Sequence, residues 1–109
     1  MSDAKTTMID PDTLEAWLAE GSATVYDVRE EHEWAAERIP GTRLLPLSRF
    51  DPAAAVAAPG SRLVFHCRSG VRCGQAAQLM RAAGHDGTIN RLAGGILGWK
   101  QAGKPTIAG

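Results

Sequence analysis

The chain has 109 residues, of which 44% are hydrophobic and 22% are charged, and its formal net charge is zero. These values are typical of one soluble globular domain with its own core, and they exclude the basic excess of a nucleic-acid-binding surface. No apolar run is long enough to span a membrane. We therefore expect a single domain over residues 1–109, with about the first six residues (1–6) as a flexible N-terminal extension.

The cysteine content points to free thiols. Cys67 and Cys73 are too few for a disulfide scaffold, and they lie close together in one predicted loop and helix start. The N-terminal segment MSDAKTTMID contains no apolar run that could act as a signal peptide. We expect reactive thiols in a reducing compartment, the cytoplasm.

The first half of the chain alternates strand and helix signals. A short apolar fragment at residues 7–9 suggests an edge strand. Asp10 is a suitable N-cap, Pro11 suits the first helical position and Gly21 ends the helical pattern. The next segments are predicted in turn as a buried strand, a short helix, a short proline-limited strand and a short helix: 23–29, 30–38, 43–47 and 52–58.

The second half continues the alternation. The apolar run RLVFHC, residues 62–67, is typical of a central parallel strand that is covered on both faces. A helix should begin near residue 71 and end at Gly84, followed by a strand at 88–95 and a helix at 96–103. The buried stripe of the first of these helices is predicted to consist of Ala76, Leu79, Met80 and Ala83. The pattern predicts a three-layer α/β/α domain of the α/β class, with a central, mainly parallel sheet of about five strands.

The junction after the apolar run carries the chemistry. In open α/β sheets ligands bind at the carboxyl ends of the strands, which is where Cys67 lies. Ser69 and Gly70 allow the backbone to curl, so that successive amides and the next helix N-terminus form an anion cradle. Arg68 and Arg72 add positive charge. Each feature favours thiolate over thiol, which predicts a lowered pKa for Cys67; the alternative is a buried structural cysteine.

The loop HCRSGVR, residues 66–72, resembles the active-site loop of rhodanese-like sulfurtransferases. The segment YDVREEHEWAAERIPGTRLLPL, 26–47, is similar to the family's Asp-Val-Arg segment, Glu-aromatic pair and Ile-Pro-Gly turn. The segment AAQLMRAAGHDGTINRLAGGILGWKQAGKP, 76–105, is similar to its C-terminal half, with Gly-Gly, Trp and Gly-x-Pro. Each motif alone is weak, but together they cover nearly the whole chain in the family's order and spacing.

The resemblance implies a rhodanese-like fold and a function. Cys67 would accept a sulfane sulfur from a small donor such as thiosulfate, become a persulfide and pass the sulfur to a thiophilic acceptor. That acceptor would be cyanide or a thiol, either a small thiol or one on a protein. The loop that cradles the sulfur would consist of Arg68, Ser69, Gly70, Val71 and Arg72. By the same match, the side chains of Arg68 and Arg72 help to hold an anionic donor. No metal, organic cofactor or nucleic acid is implied, and the oligomeric state is left open.

Two residues near the loop have alternative interpretations. Cys73 stands where the family commonly has serine, so it is either a second thiol that could resolve an oxidised Cys67 or a small buried cysteine at a helix start. Asp27 either orients the loop or an arginine, or caps the following helix.

Three further interpretations concern charge and metal binding. Arg29 and Glu33, four residues apart, are predicted to form an ion pair. The side chain of His66 should point to the opposite face of its strand from Cys67, with its hydrogen bonds satisfied or with partial exposure. A zinc site built from His66, Cys67, Cys73 and His85 lacks the paired ligand spacing of structural zinc sites.

Two other functions compete with sulfur transfer. Cysteine-based phosphatases and arsenate reductases of related architecture have five residues between the cysteine and the arginine, whereas this loop has four. The shorter loop forms a tighter ring of amides, suited to one sulfur atom. A persulfide carrier or an interaction module for a partner protein is the other alternative.

Overall fold

The computed structural model, which describes residues 5–108, shows strands and helices alternating along the chain. Within these residues the strands are β1 (Thr6–Ile9), β2 (Ala23–Asp27), β3 (Arg43–Leu44), β4 (Arg62–His66) and β5 (Ile89–Leu92). The α-helices are α1 (Pro11–Glu20), α2 (Glu31–Ala36), α3 (Arg72–Ala82) and α4 (Gly95–Gln101). The sheet order is β1-β5-β4-β2-β3, and every neighbouring pair is parallel. The predicted α/β fold with a five-stranded sheet is confirmed.

The two faces of the sheet bury two separate hydrophobic clusters. Successive β4 residues point in opposite directions, so Val64 joins one cluster and Phe65 joins the other. The Phe65 side packs against α3, and the Val64 side packs against Leu14 of α1 and Trp99 of α4. Helices therefore cover both faces of β4, as its unbroken apolar run predicts. No helix formed by residues 5–108 is long and apolar enough to cross a membrane.

The N-terminal elements follow the sequence signals. The Asp10 carboxylate accepts a hydrogen bond from the Thr13 amide at 2.8 Å, and Gly21 ends α1 in the left-handed conformation with φ of 70°. The fragment at 7–9 belongs to β1, which lies at one edge of the sheet as expected. Most of the predicted flexible extension lies outside the described residues, although Thr6 already belongs to β1.

The helix predicted over residues 52–58 is wrong, because only one short 3-10 turn forms there, at Pro52–Ala54. The hydroxyl of Tyr26 donates to the carbonyls of Ala54 and Val56 at 3.2 and 2.7 Å. The amide of Ala58 donates to the Thr24 hydroxyl at 3.0 Å. These contacts from β2 occupy backbone groups that a helix would need, so tertiary bonding overrides the helix preference of the alanine run.

Other predicted elements differ from the structure in their extent or in the face that they bury. The strand expected at 43–47 is reduced to Arg43–Leu44. The stripe expected on α3 is rotated, since Leu79 is 43% exposed and Ala83 is exposed beyond the helix end. The buried residues of α3 are Cys73, Ala76, Ala77 and Met80. The rotation carries Cys73 into the core beneath the loop.

Candidate active site

The loop that follows β4 lies at the carboxyl edge of the sheet. β4 is an interior strand between β5 and β2, and its last residue, His66, is aligned with Asp27 at the end of β2. Cys67 comes directly after His66, and helix α3 begins at Arg72. The four residues between them therefore have to turn the chain from the strand into the helix over a short distance.

The backbone of this loop closes around the sulfur of Cys67. The Gly70 amide donates to the Cys67 Sγ at 3.1 Å, and Gly70 has a φ of 108°, which a residue with a side chain rarely adopts. The Cys73 thiol makes the largest contribution to lowering the pKa of Cys67, and the amides of Cys73, Gly70 and Ser69 add to it. Burial opposes them, but the pKa still falls to about 5. Cys67 is therefore a thiolate near neutral pH, although it is only 1% exposed.

The first turn of α4 holds the start of the loop from one side. The amides of Ile96 and Leu97 donate to the carbonyls of Cys67 and Arg68 at 2.9 and 3.1 Å. Two loop carbonyls are thus bonded to α4, which leaves the following amides to face the sulfur. A Cβ atom on Gly95 would lie 2.3 Å from the Cys67 carbonyl oxygen, so this close approach requires glycine.

Arg91 of β5 holds the loop from a second direction, a contact that the sequence analysis missed. Its Nη2 donates to the Gly70 carbonyl at 2.7 Å, and its Nε lies 3.3 Å from the Cys73 Sγ. The Cys73 thiol donates to the same carbonyl at 3.2 Å. The sequence signal for this contact is the arginine in the strand segment INRL. It could be used only with the strand order, which places β5 beside β4.

The ion pair predicted between Arg29 and Glu33 is wrong. Glu33 instead binds Arg72 of the loop, with Nη1–Oε1 and Nη2–Oε2 distances of 2.7 and 2.9 Å. The Arg72 guanidinium lowers the pKa of Glu33 to about 2. Arg68 is exposed and has no ion pair among residues 5–108. Of the two loop arginines, Arg68 therefore carries the charge that is not neutralised within the described chain.

Asp27 orients an arginine and does not cap the next helix. Its buried carboxylate accepts from the Arg29 Nε and Nη2 at 3.0 and 2.7 Å, and the Arg29 Nη2 also donates to the Glu37 carbonyl at 2.6 Å. The N-cap of α2 is Glu30, which forms a capping box with Glu33. Asp27 and Arg29 thus tie the end of β2 to the end of α2, the helix that presents Glu33 to the loop.

His66 is fully buried, which corrects the expectation of a satisfied or partly exposed side chain. Its Nδ1 lies 3.3 Å from the Cys67 carbonyl, while its Nε2 lies 3.5 Å from the Asp27 carboxylate and has no hydrogen-bond partner among the described residues. Burial lowers the pKa of His66, so the ring is neutral at physiological pH. Residues 5–108 contain no cluster of three or more ligating side chains that could hold a metal ion.

Comparison with known proteins identifies the family of this chain. Residues 10–102 match the model of the rhodanese-like domain, so the chain belongs to the rhodanese-like domain family. The uncharacterized protein slr1261 of Synechocystis is 42% identical over 99 residues, which are 91% of this chain and 55% of that protein. The chain thus spans about half the length of this relative.

A human protein and a solved structure are further examples of what the chain is similar to. The human thiosulfate:glutathione sulfurtransferase is 37% identical over 100 residues, covering 79% of this chain and 86% of the human protein. The solution structure of the rhodanese-like domain of Anabaena Alr3790 superposes with a TM-score of 0.77 at 26% identity, covering 93% of this chain and 78% of that chain. The family includes proteins named as sulfurtransferases, and the fold is that of its single-domain members.

Proposed function

We propose that this chain is a sulfurtransferase that carries a sulfane sulfur as a persulfide on Cys67. The observation that carries this proposal is the buried Cys67 sulfur, which sits at the end of the central strand within a ring of loop amides and has a pKa of about 5. A thiolate is the nucleophilic form of cysteine, and here it is present at neutral pH without a separate base.

In the first half-reaction the Cys67 thiolate attacks the outer sulfur of a donor such as thiosulfate. A sulfur–sulfur bond forms on Cys67, the bond between the two donor sulfurs breaks, and sulfite leaves with the electron pair. The exposed guanidinium of Arg68 attracts the anionic donor, whereas Arg72 is held by Glu33 and stabilises the loop. These separate roles of Arg68 and Arg72 differ from the expectation that both side chains help to hold the donor.

In the second half-reaction a thiophilic acceptor attacks the outer sulfur of the persulfide. The bond between the two sulfurs breaks, and Cys67 leaves as a thiolate. A thiol of low pKa is a better leaving group, so the contacts that activate Cys67 as a nucleophile also favour its release. The two steps form a ping-pong cycle in which the protein alternates between thiolate and persulfide.

We propose thiosulfate as the sulfur donor and a thiol as the sulfur acceptor. A human relative named thiosulfate:glutathione sulfurtransferase supports thiosulfate as donor and a small thiol as acceptor, and a thiol on a protein would present the same chemistry. A reducing compartment such as the cytoplasm would keep both cysteines free. A carrier that delivers sulfur to one partner protein is the weaker candidate, since Cys67 is only 1% exposed and an acceptor has to enter the loop.

Thiocyanate formation from thiosulfate and cyanide tests the proposal. The wild type should form thiocyanate, and Cys67→Ser should form none because a hydroxyl is a much weaker nucleophile. Cys73→Ser should still form thiocyanate, since serine is the residue that rhodanese-like domains commonly have at this position. Hydrolysis of an aryl phosphate should be negligible, because the loop is one residue too short for a tetrahedral oxyanion. Full activity of Cys67→Ser, or a robust phosphatase activity of the wild type, would overturn the proposal.

A further inference from the structure

The two cysteines share one loop residue, Gly70. Its amide donates to the Cys67 Sγ at 3.1 Å, and its carbonyl accepts from the Cys73 thiol at 3.2 Å. The Cys73 thiol is also the first cause of the lowered pKa of Cys67. Cys67 is 1% exposed and Cys73 is 0% exposed, so both sulfurs are shielded from solvent. Any chemistry between them needs no access from solvent.

The charge beside Cys73 comes from Arg91. Its Nη2 is anchored on the Gly70 carbonyl at 2.7 Å, which places its Nε 3.3 Å from the Cys73 Sγ. Among residues 5–108 Arg91 has no carboxylate partner. A partly buried guanidinium without a counter-ion favours a negative charge on the atom that it contacts, which here is the sulfur of Cys73.

We propose that Cys73 is a second reactive thiol, which attacks the inner sulfur of a persulfide on Cys67, releases sulfide and leaves a Cys67–Cys73 disulfide. This inference rests on the proposed persulfide at Cys67. Sulfide release would be a further activity of the chain, in addition to sulfur transfer to an external acceptor.

The step balances without an external oxidant. The Cys73 thiolate forms a bond to the Cys67 Sγ, and the bond from that sulfur to the outer sulfur breaks. The outer sulfur leaves with the electron pair and is protonated to hydrogen sulfide. The two cysteine thiols are oxidised to a disulfide, and the sulfane sulfur is reduced to sulfide. A dithiol, either a small molecule or a protein, then reduces the disulfide and returns the chain to its starting state.

Loading of the sulfur is what makes Cys73 reactive. Before loading, its contact with Cys67 raises the pKa of Cys73, burial raises it further, and Arg91 lowers it. Loading moves the negative charge from the Cys67 Sγ to the outer sulfur, so the largest cause of the raised pKa is weakened while Arg91 remains. A thiol already held beside its target also has a large effective concentration over an external acceptor.

Stoichiometric thiosulfate under anaerobic conditions tests this inference, with intact mass and released sulfide as readouts. The wild type should become two hydrogen atoms lighter than its starting mass and should release one sulfide per chain. Cys73→Ser, loaded at a pH above the free-thiol pKa so that Cys67 is ionised without the Cys73 thiol, should instead become one sulfur atom heavier and release almost none. A wild type that stays one sulfur atom heavier, or that carries the extra sulfur on Cys73, would overturn the inference. If Cys73→Ser gains no sulfur, the proposed persulfide fails, and this inference fails with it.

The role of Arg91 as a positioning residue has a separate readout. The rate of sulfide release should rise with pH as Cys73 ionises, and Arg91→Gln should move this rise to higher pH. The same substitution in Cys73→Ser reports sulfur loading alone, which separates damage to the loop from loss of the charge. An unchanged pH profile in Arg91→Gln that loads normally would refute the role of Arg91.

Discussion

Replacement of Gly95 by alanine should deform the loop around Cys67 from outside the loop itself. A Cβ at this position would lie 2.3 Å from the Cys67 carbonyl oxygen and 2.5 Å from that of Arg68, and the residue has a φ of 58°. These neighbours are backbone atoms, which cannot rotate away. The loop and the start of α4 therefore have to separate, with loss of the Ile96–Cys67 and Leu97–Arg68 hydrogen bonds.

The expected loss of stability follows from these contacts. A non-glycine residue in the left-handed region costs about 1–2 kcal/mol, and the two hydrogen bonds contribute about 1 kcal/mol each, which gives about 3–4 kcal/mol. Gly21→Ala is the matched control, because Gly21 has a φ of 70° and a Cβ added there would meet nothing within 4 Å. It should lose only the backbone contribution, so the two variants should differ by about 2 kcal/mol.

Urea unfolding measures this difference, and the rate of Cys67 alkylation as a function of pH measures the loop. The alkylation midpoint of Cys67 should be higher in Gly95→Ala than in Gly21→Ala, because the loop amides no longer surround the Cys67 sulfur in Gly95→Ala. Equal losses of stability together with equal midpoints would refute the argument that α4 holds the loop in its activating shape.

The remaining predictions concern the charges around the loop. Alkylation of wild-type Cys67 should have its midpoint near pH 5, and Cys73→Ala should raise it, because the Cys73 thiol is the main cause of the low pKa. Folding lowers the pKa of Glu33 from 4.5 to about 2, so its pair with the loop stabilises the fold above pH 4.5 and loses that effect as the pH falls towards 2. Glu33→Gln should therefore be about 1–2 kcal/mol less stable than wild type near neutral pH, after allowance for solvent screening, and the difference should vanish near pH 2. Arg68→Gln should raise the KM for thiosulfate and weaken its dependence on salt with little change in stability, since Arg68 is exposed and has no ion pair among residues 5–108.

An alkylation midpoint at or above the free-thiol value of about 8.5 would contradict the activation of Cys67. Glu31→Gln is the control for Glu33, because Glu31 is 76% exposed and lies 3.9 Å from Arg49; equal losses in both variants would contradict a special role for the loop pair. Arg43→Gln is the control for Arg68→Gln, because it removes a positive charge that lies outside the loop. An equal rise in the KM for thiosulfate in both variants would show that only the net charge of the protein matters.

Much of the fold could be predicted from the sequence because its signals are local. The cap at Asp10, the glycine at position 21 and the apolar run of β4 each determine their element through nearby backbone and burial effects. The 52–58 segment could not be predicted in the same way, since Tyr26 and Thr24 of β2 take its backbone groups from far away in the sequence.

The candidate site shows the same division. The position of Cys67, the glycine-containing curl and the helix start are contiguous in sequence, and the structure brings them together. The partners of the loop are distant in sequence, so spacing alone paired Glu33 with Arg29, although it binds Arg72 across 39 residues. Arg91 and the first turn of α4 reach the loop because β5 lies beside β4 and because the α4 backbone bonds to loop carbonyls. A single sequence contains no signal for either pairing.

The position of the transferred sulfur tests directly whether Cys67 carries it. Thiosulfate labelled with a heavy isotope in its outer sulfur is added to Cys73→Ser and to Cys67→Ser. Each protein is then alkylated and cleaved after arginine, which separates residues 63–68 from residues 73–81. One labelled sulfur should be found on the 63–68 peptide of Cys73→Ser and none on Cys67→Ser. No label on Cys73→Ser, or as much label on Cys67→Ser, would contradict this role of Cys67.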